Sequence, residues 1–455
     1  MIATRLRDSV RENMALIVFL SAYFCLTVLG NLIYMIPGGE VIGQIAIDDF
    51  ALSDFQTAGS FGYLSLLVLP FIIAPVVALL TRRFAGTSVR HVAAVFKDFT
   101  RLDYIAITTA LYGYVIFSFW RVDAVGLIEH GSDVYEAVRS RFELLERLGY
   151  WPQMALKSLL IFLACYAFVR AIRGRERFWI AASVINFLLM TCLLVLLNMK
   201  WPLLIYYVAL ALATFSFAPR RPYIGTILVS VATFVTYALI TAALLRIIPT
   251  PPPDFTPTRG GKRIELPFKF LGAAASAALA NSTLLGFTLL NRMAQPYPFY
   301  FEIFTREGQK CGTIVDRIER KTNPCQPSSL IYNKMFGDDI RFGEDVASRG
   351  TTPQPVHIYG YALGGWSGAL IELILTSIVL GLFISIPALA NNIAATVTIM
   401  GGLTGYFFSQ LPFEGPIIYD HGILWWGLLI VAYAAIRILF ARSRTATQSV
   451  RETYP

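Results

Sequence analysis

Ten runs of about twenty apolar residues, separated by short basic or longer polar connections, dominate the chain. A helix of about 20 apolar residues crosses the hydrocarbon core of a bilayer, so the pattern predicts an all-α, polytopic membrane bundle. The runs are Met14–Ile36, Gly62–Leu80, Tyr104–Phe119, Met154–Ile172, Phe178–Leu197, Trp201–Phe217, Tyr223–Ile248, Tyr361–Ile386, Ala388–Leu411 and His421–Leu439. Trp120, Trp151, Trp179, Trp201, Trp425 and Trp426 fall at or near the ends of runs, where an amphipathic indole favours the headgroup layer. The first run is too long for the apolar region of a cleaved signal peptide and lacks a small-residue cleavage site, so it is expected to stay as a signal anchor.

Composition agrees with the pattern. Of 455 residues, 56% are hydrophobic and 15% charged, with a mean hydropathy of +0.60; soluble domains carry about 25% charged residues. Little length is left for a separate soluble domain, and one integral domain spanning the whole chain is expected. The net charge of +9 does not point to nucleic acid, because the basic residues lie mainly in short connections, where membrane orientation explains them. Arg5, Arg7 and Arg11 precede the first run; Arg82, Arg83, Arg90, Lys97 and Arg101 follow the second; Arg173, Arg175 and Arg177 follow the fourth; Arg220 and Arg221 follow the sixth. The positive-inside rule places these, both termini included, on the cytoplasmic side.

Two outer regions stand out. Residues 121–153 hold an expected amphipathic helix, Asp133–Leu148, with Val134, Val138, Phe142, Leu145 and Leu148 on one face and Arg139, Arg141, Glu143 and Arg147 polar. Residues 249–360 form one long outer segment that begins with the stiff run Pro249–Pro253. Within it, Phe268–Leu290 is long enough to span but rich in Ala, Gly, Ser and Asn. Parity of the flanking runs makes it a re-entrant or interfacial helix. Cys311 and Cys325 are the only cysteines outside the runs, with thirteen residues between them; a bridge there would contribute about 3 kcal/mol and implies an oxidising outer compartment. Two free thiols are the alternative.

Candidate chemistry is sparse. The four histidines, His91, His130, His357 and His421, are dispersed, no zinc-type spacing occurs, and no phosphate-binding GxxxxGK[ST] loop is present; no metal or cofactor is expected. Ionisable groups noted in the runs include Arg170, Arg246 and Arg437 near their ends and Glu372 deep in the eighth, a functional-site candidate by its depth or a partner of a structural Arg. Lys200 stands in a very short outer turn, and Arg292, Arg306, Arg317, Arg320, Arg341 and Arg349 are spread over the long outer segment. Cations on the side that disfavours them suit a polyanionic lipid headgroup, above all a pyrophosphate.

The stretch Leu194–Leu204 (LVLLNMKWPLL) resembles the basic-Pro-apolar signature of Wzy-type oligosaccharide repeat-unit polymerases. The long outer segment, which ends in His357–Gly368 (HIYGYALGGWSG) and runs straight into a span, is similar to the corresponding loop of the wider O-antigen polymerase and ligase group. Arg349 and Gly360 also match an R-x10-G loop motif of such polymerases, whereas Ile358 stands where the ligase pattern has Asn. The resemblance implies a GT-C-like membrane glycosyltransferase of the bacterial inner membrane. Such an enzyme transfers a glycan from undecaprenyl pyrophosphate to a second lipid-linked unit at the outer face, with a chain-length regulator as a candidate partner. Lys200, Arg292, Arg306 and Arg349, with Arg139 and Arg141 approaching from residues 121–153, would stabilise the leaving pyrophosphate; His357 or Glu302 would take the acceptor proton. Alternatives are an O-antigen ligase, a metal-dependent GT-C enzyme using Asp48 and Asp49, a transporter or flippase, and a structural partner of a synthase complex. Against a transporter, no half of the chain repeats, and Pro70 and Pro75 are expected to break only the second run.

Overall fold

The computed structural model describes residues 2–32, 60–129, 134–197, 199–219, 221–244, 258–259, 262–263, 294, 296–306, 308, 327–328, 330–331, 352–418 and 422–453. Apart from a two-residue antiparallel ladder, Thr258–Arg259 with Lys262–Arg263, the ordered elements are helices. In chain order they are α1 (Ile2–Glu12), α2 (Met14–Leu32), α3 (Phe61–Val95), α4 (Arg101–Arg121), α5 (Ala124–Glu129), α6 (Val134–Leu148), α7 (Tyr150–Gly174) and α8 (Arg177–Leu196). There follow α9 (Lys200–Phe217), α10 (Pro222–Leu244), α11 (Pro296–Arg306), α12 (Val356–Ile384), α13 (Asn392–Phe408), α14 (Glu414–Ile418) and α15 (Ile423–Thr453).

Each of the ten predicted runs overlaps a described helix. Seven helices among the described residues, in α2, α3, α4, α7, α8, α10 and α12, are long and apolar enough to cross a membrane. Shorter apolar stretches occupy α9 and the first part of α15, and α13 has 17 residues. The architecture is an all-helical membrane bundle.

Local sequence sets the ends. Ser60 caps α3 by accepting from the Tyr63 N–H at 3.3 Å, Thr100 caps α4 through Asp103 at 3.2 Å, and Asn391 caps α13 through Ala394 at 2.6 Å. Pro222 and Pro296 open α10 and α11 at the position where the missing N–H costs nothing. Two helices carry π-helical turns, Phe24–Val28 in α2 and Ala155–Leu160 in α7, each rotating the side chains beyond it out of α-helical phase.

Several expectations are corrected. Pro70 and Pro75 lie inside α3, a single helix of 35 residues that continues through Arg82, Arg83 and Arg90, so the second run is not broken by them. Lys200 is the first residue of α9 rather than part of a turn. His357 and Gly360 belong to α12, because that helix begins at Val356, five residues before the run that predicted it. The amphipathic helix is found as Val134–Leu148.

Packing follows small residues. α2 lies along α13, where a Cβ on Gly405 would collide with the Ala15 carbonyl and one on Gly402 would lie 2.9 Å from Met14 Cγ; helices without a hydrophobic drive between them rely on such close approach. α3 lies along α12 over its length, and a Cβ on Gly381 would sit 2.7 Å from the Ala78 carbonyl oxygen. Two cores result. The larger joins α2, α4, α7, α8, α9, α13 and α15. The second is aromatic and gathers Tyr23, Tyr63, Tyr297, Tyr300, Phe301, Tyr359 and Tyr361 with their neighbours.

At one end of the bundle, the Asp98 carboxylate accepts from the backbone N–H groups of Asn392 (2.9 Å) and Ile393 (3.1 Å) and from the Asn392 amide, while Asn391 donates to the carbonyls of Ala93 and Phe96. Arg173 donates to the carbonyls of Leu389 and Asn391. These bonds fix the entrance of α13 against the ends of α3 and α7.

Candidate functional site

The second core is where predicted site residues meet. It begins with a break in α12. Gly364 (φ −148°, ψ 23°) and Gly365 (φ 59°, ψ −146°) leave helical geometry, and the positive φ of Gly365 is one that L side chains rarely adopt. The break folds residues 356–363 back on the start of residues 366–384. In a straight helix Gly360 and Gly368 would be about 12 Å apart; here a Cβ built on Gly368 would lie 3.6 Å from Gly360 Cα and would collide with the Gly360 carbonyl oxygen. The converse substitution at Gly360 would meet the Gly368 carbonyl and lie 2.7 Å from Cγ of buried Glu372. The stretch that resembled a loop motif is thus a tight helical hairpin whose two glycines touch backbone to backbone.

The short limb of that hairpin carries Tyr359 and Tyr361 to α11. Phe301 stacks on Tyr361 with centroids 5.7 Å apart, Tyr300 meets Tyr359 edge-on at 5.7 Å, and Thr305 Oγ1 hydrogen-bonds the Tyr361 hydroxyl at 2.6 Å. From α3, Tyr63 meets Tyr297 at 5.0 Å and Phe301 at 5.5 Å, and its hydroxyl donates to Asn31 Oδ1 on α2. An isolated helix of 11 residues is marginal in water. Ring pairs worth about 0.5–1.5 kcal/mol each beyond their buried area explain why α11 holds. Burial pushes the Tyr297 and Tyr300 hydroxyls well above the usual phenol range, so both stay protonated; Tyr300 gives its proton to the Thr352 carbonyl at 3.1 Å.

This packing presents a charged pair. Glu302, with 6% of its side chain exposed, lies 2.7 Å from the Arg306 guanidinium one turn on, whose side chain is 58% exposed. A buried carboxylate is thus held by a cation whose side chain is largely exposed.

His357 enters the same core from another side. Fully buried, it lies edge-on to Tyr23 of α2 with ring centroids 5.3 Å apart, and its Nε2 is 3.4 Å from the Tyr23 hydroxyl. That hydroxyl donates to the Leu67 carbonyl at 2.7 Å.

Of the residues singled out by sequence, the structure therefore brings together Glu302, Arg306, His357 and Gly360. Arg141 is elsewhere: α6 sends Leu144 and Leu148 into the larger core, and the half-buried Arg141 guanidinium lies over the ring of Phe142 at 5.0 Å, with burial lowering its pKa. Arg292, Arg349, Asp48, Asp49, Cys311, Cys325 and the segment Phe268–Leu290 lie outside the described residues, as do the side chains of Lys200 and Arg139. No group of His, Cys, Asp and Glu able to hold a metal occurs among the described residues.

Sequence reading passed over Lys157, which lies inside the fourth run and is 4% exposed in the π-helical turn of α7. Its Nζ donates to Gln153 Oε1 at 3.2 Å, and Gln153 in turn donates to the carbonyls of Leu145 (2.8 Å) and Gly149 (3.0 Å). The ammonium thus stands at the negative C-terminal end of α6. A lysine within a predicted span was the available signal. The aromatic core had none, because its members come from four separate stretches of chain.

No protein-family model, curated protein or solved structure matches the chain.

Proposed function

We propose that the chain is a membrane glycosyltransferase that polymerises oligosaccharide repeat units linked to undecaprenyl pyrophosphate, with its site at the outer end of the bundle. The observation that carries this reading is the Glu302–Arg306 pair, a buried carboxylate and a largely exposed guanidinium 2.7 Å apart, on a helix held against a broken membrane helix by aromatic rings. Supporting it are the helical membrane bundle, the Leu194–Leu204 and His357–Gly368 motifs, and the cations of residues 249–360.

In this reading Arg306, with Arg292, Arg349 and Lys200, stabilises the charge that develops on the leaving pyrophosphate. That electrostatic role requires no metal and grows as the glycosidic bond breaks. Glu302 accepts the proton of the attacking sugar hydroxyl. The glycan chain passes to the acceptor unit and the lipid pyrophosphate departs with the electron pair of the broken bond. The exposed Trp366, edge-on to buried Tyr361 at 5.8 Å, supplies an apolar face against which sugars stack.

The test is the lipid-linked and surface glycan profile, by mass spectrometry and gel ladder, of a strain lacking the gene, restored with the parent chain, Glu302→Gln or Arg306→Ala. Accumulated single lipid-linked repeats and no long polymer are expected from the deletion and from both variants. Long polymer retained on lipid pyrophosphate would make the chain a ligase, and an unchanged profile on deletion would overturn the enzymatic reading.

A further inference from the structure

α3 is longer than a membrane span needs. Its 35 residues extend about 52 Å, against about 30 Å of hydrocarbon, and its apolar run ends at Leu80. The surplus does not rise away from the bundle. A Cβ on Gly86 would lie 3.9 Å from Oγ of Ser385, where α12 ends. Asn391, the cap of α13, donates to the carbonyls of Ala93 at 3.2 Å and Phe96 at 3.0 Å, and α4 begins at Arg101. Residues 83–102 thus pass the ends of three apolar helices, and such ends stand where hydrocarbon gives way to headgroups.

The charges of this stretch fall into two groups. Arg82 is held by Glu12 and Asn13, Arg101 by Glu176, and the carboxylate of Asp98 by the start of α13. Arg83, Arg90 and Lys97 are exposed and form no ion pair among the described residues. Helix phase sets what they face. Arg83 and Arg90 stand eleven and eighteen residues after Ile72, three and five turns, so they continue the line of Ile72 and Leu79, both exposed on the apolar run. In a membrane that line faces acyl chains, and its continuation faces headgroups. Phe84, 79% exposed, and Val95, eleven residues on, share the adjacent face, and Leu102 is exposed at the start of α4. Cations without partners beside exposed apolar side chains compose a surface that lies on anionic lipid.

We infer that residues 83–102 form a docking surface for anionic phospholipid headgroups. Arg83, Arg90 and Lys97 hold the phosphates, while Phe84, Val95 and Leu102 seat at the boundary with the acyl chains. A soluble acidic protein would meet the same charges, but continuity with the lipid-facing line of α3 favours the membrane. The surface is independent of the proposed activity.

The test titrates phosphatidylglycerol or phosphatidylcholine into the full chain in neutral detergent, with bound lipid counted by native mass spectrometry. The parent should prefer phosphatidylglycerol. Arg83→Gln, Arg90→Gln and Lys97→Gln should each weaken its binding about fivefold and leave phosphatidylcholine unchanged. The triple variant should show no preference, and Arg83→Lys with Arg90→Lys should keep it. Arg121→Gln, an exposed cation at the other end of α4, should have no effect. Equal binding of the two lipids by the parent, an unchanged preference in the triple variant, or an equal loss from Arg121→Gln would overturn the surface. In nanodiscs, a bimane on Val95→Cys in a cysteine-free chain should be quenched by headgroup nitroxides and shielded from aqueous iodide. The reverse would give the surface to a water-borne acidic partner and overturn the lipid reading.

Discussion

Gly360→Ala separates the hairpin reading of α12 from that of an ordinary glycine in a helix, because the two predict opposite signs. Alanine in place of a helical glycine gains about 1 kcal/mol from backbone entropy alone. At Gly360 the added methyl would collide with the Gly368 carbonyl oxygen and lie 2.7 Å from Glu372 Cγ. The first neighbour is backbone held by the Gly364–Gly365 break, and the second is the stem of a buried carboxylate, so neither yields as the tip of a flexible side chain would. Overpacking of a closed site costs about 1–3 kcal/mol, and backbone contact puts this one at the upper end, about 3. The net expectation is a loss of about 2 kcal/mol after the propensity gain. Gly113 on α4 and Gly427 on α15 serve as controls, since a Cβ at either meets nothing within 4 Å; alanine there should stabilise by about 0.5–1 kcal/mol. Thermal unfolding of the four chains in one detergent, followed by circular dichroism, reads the comparison. A Gly360→Ala chain that gains stability alongside the controls would refute the backbone contact and the fold-back of residues 356–363.

Asp98→Ala removes the acceptor of two backbone N–H groups and one amide at the start of α13 and should cost about 2 kcal/mol; an unfolding midpoint equal to the parent's would show that the cap is not needed. Orientation is read by labelling in a cysteine-free background. Phe61→Cys, at a position 89% exposed, should react with an impermeant maleimide from outside, and Arg175→Cys, on an exposed turn, only after permeabilisation; the reverse pattern would invert the bundle. Chelation should leave glycan transfer unchanged, and loss with EDTA restored by a divalent metal would favour the reading with Asp48 and Asp49. Tyr63→Phe, which deletes the hydroxyl bonded to Asn31, should loosen α2 from α3 by about 1 kcal/mol while sparing the ring contacts to α11, and transfer should fall less than with Glu302→Gln.

Much of the bundle was legible in the chain because the bilayer imposes one dominant rule. Apolar runs of sufficient length must be helical, since backbone groups find no partners in hydrocarbon, and each predicted run overlaps a described helix. Boundaries were less legible where polarity and helicity part company. α3 continues past its apolar run into the basic residues Arg82–Arg90, and α12 starts before its run because His357 and Gly360 are buried in protein rather than in lipid. Prolines misled for a related reason: Pro70 was read as a break, but a carbonyl freed inside a bundle is satisfied by a neighbour and the helix continues.

Sequence by itself determined the class of the molecule, the location of its helices and the residue types available for chemistry, because these depend on hydropathy and spacing along one chain. It also offered Glu302 and Arg306 as separate candidates, but only the structure showed the helix that pairs them. Only the tertiary structure decided that α11 packs on the short limb of α12, that Gly360 touches Gly368, and that His357 faces Tyr23 while α6, which carries Arg141, packs on the other core. Those contacts join segments up to 334 residues apart, as between Tyr23 and His357. Their specificity lies in side-chain shape and in where each buried donor finds its acceptor, which no local pattern records.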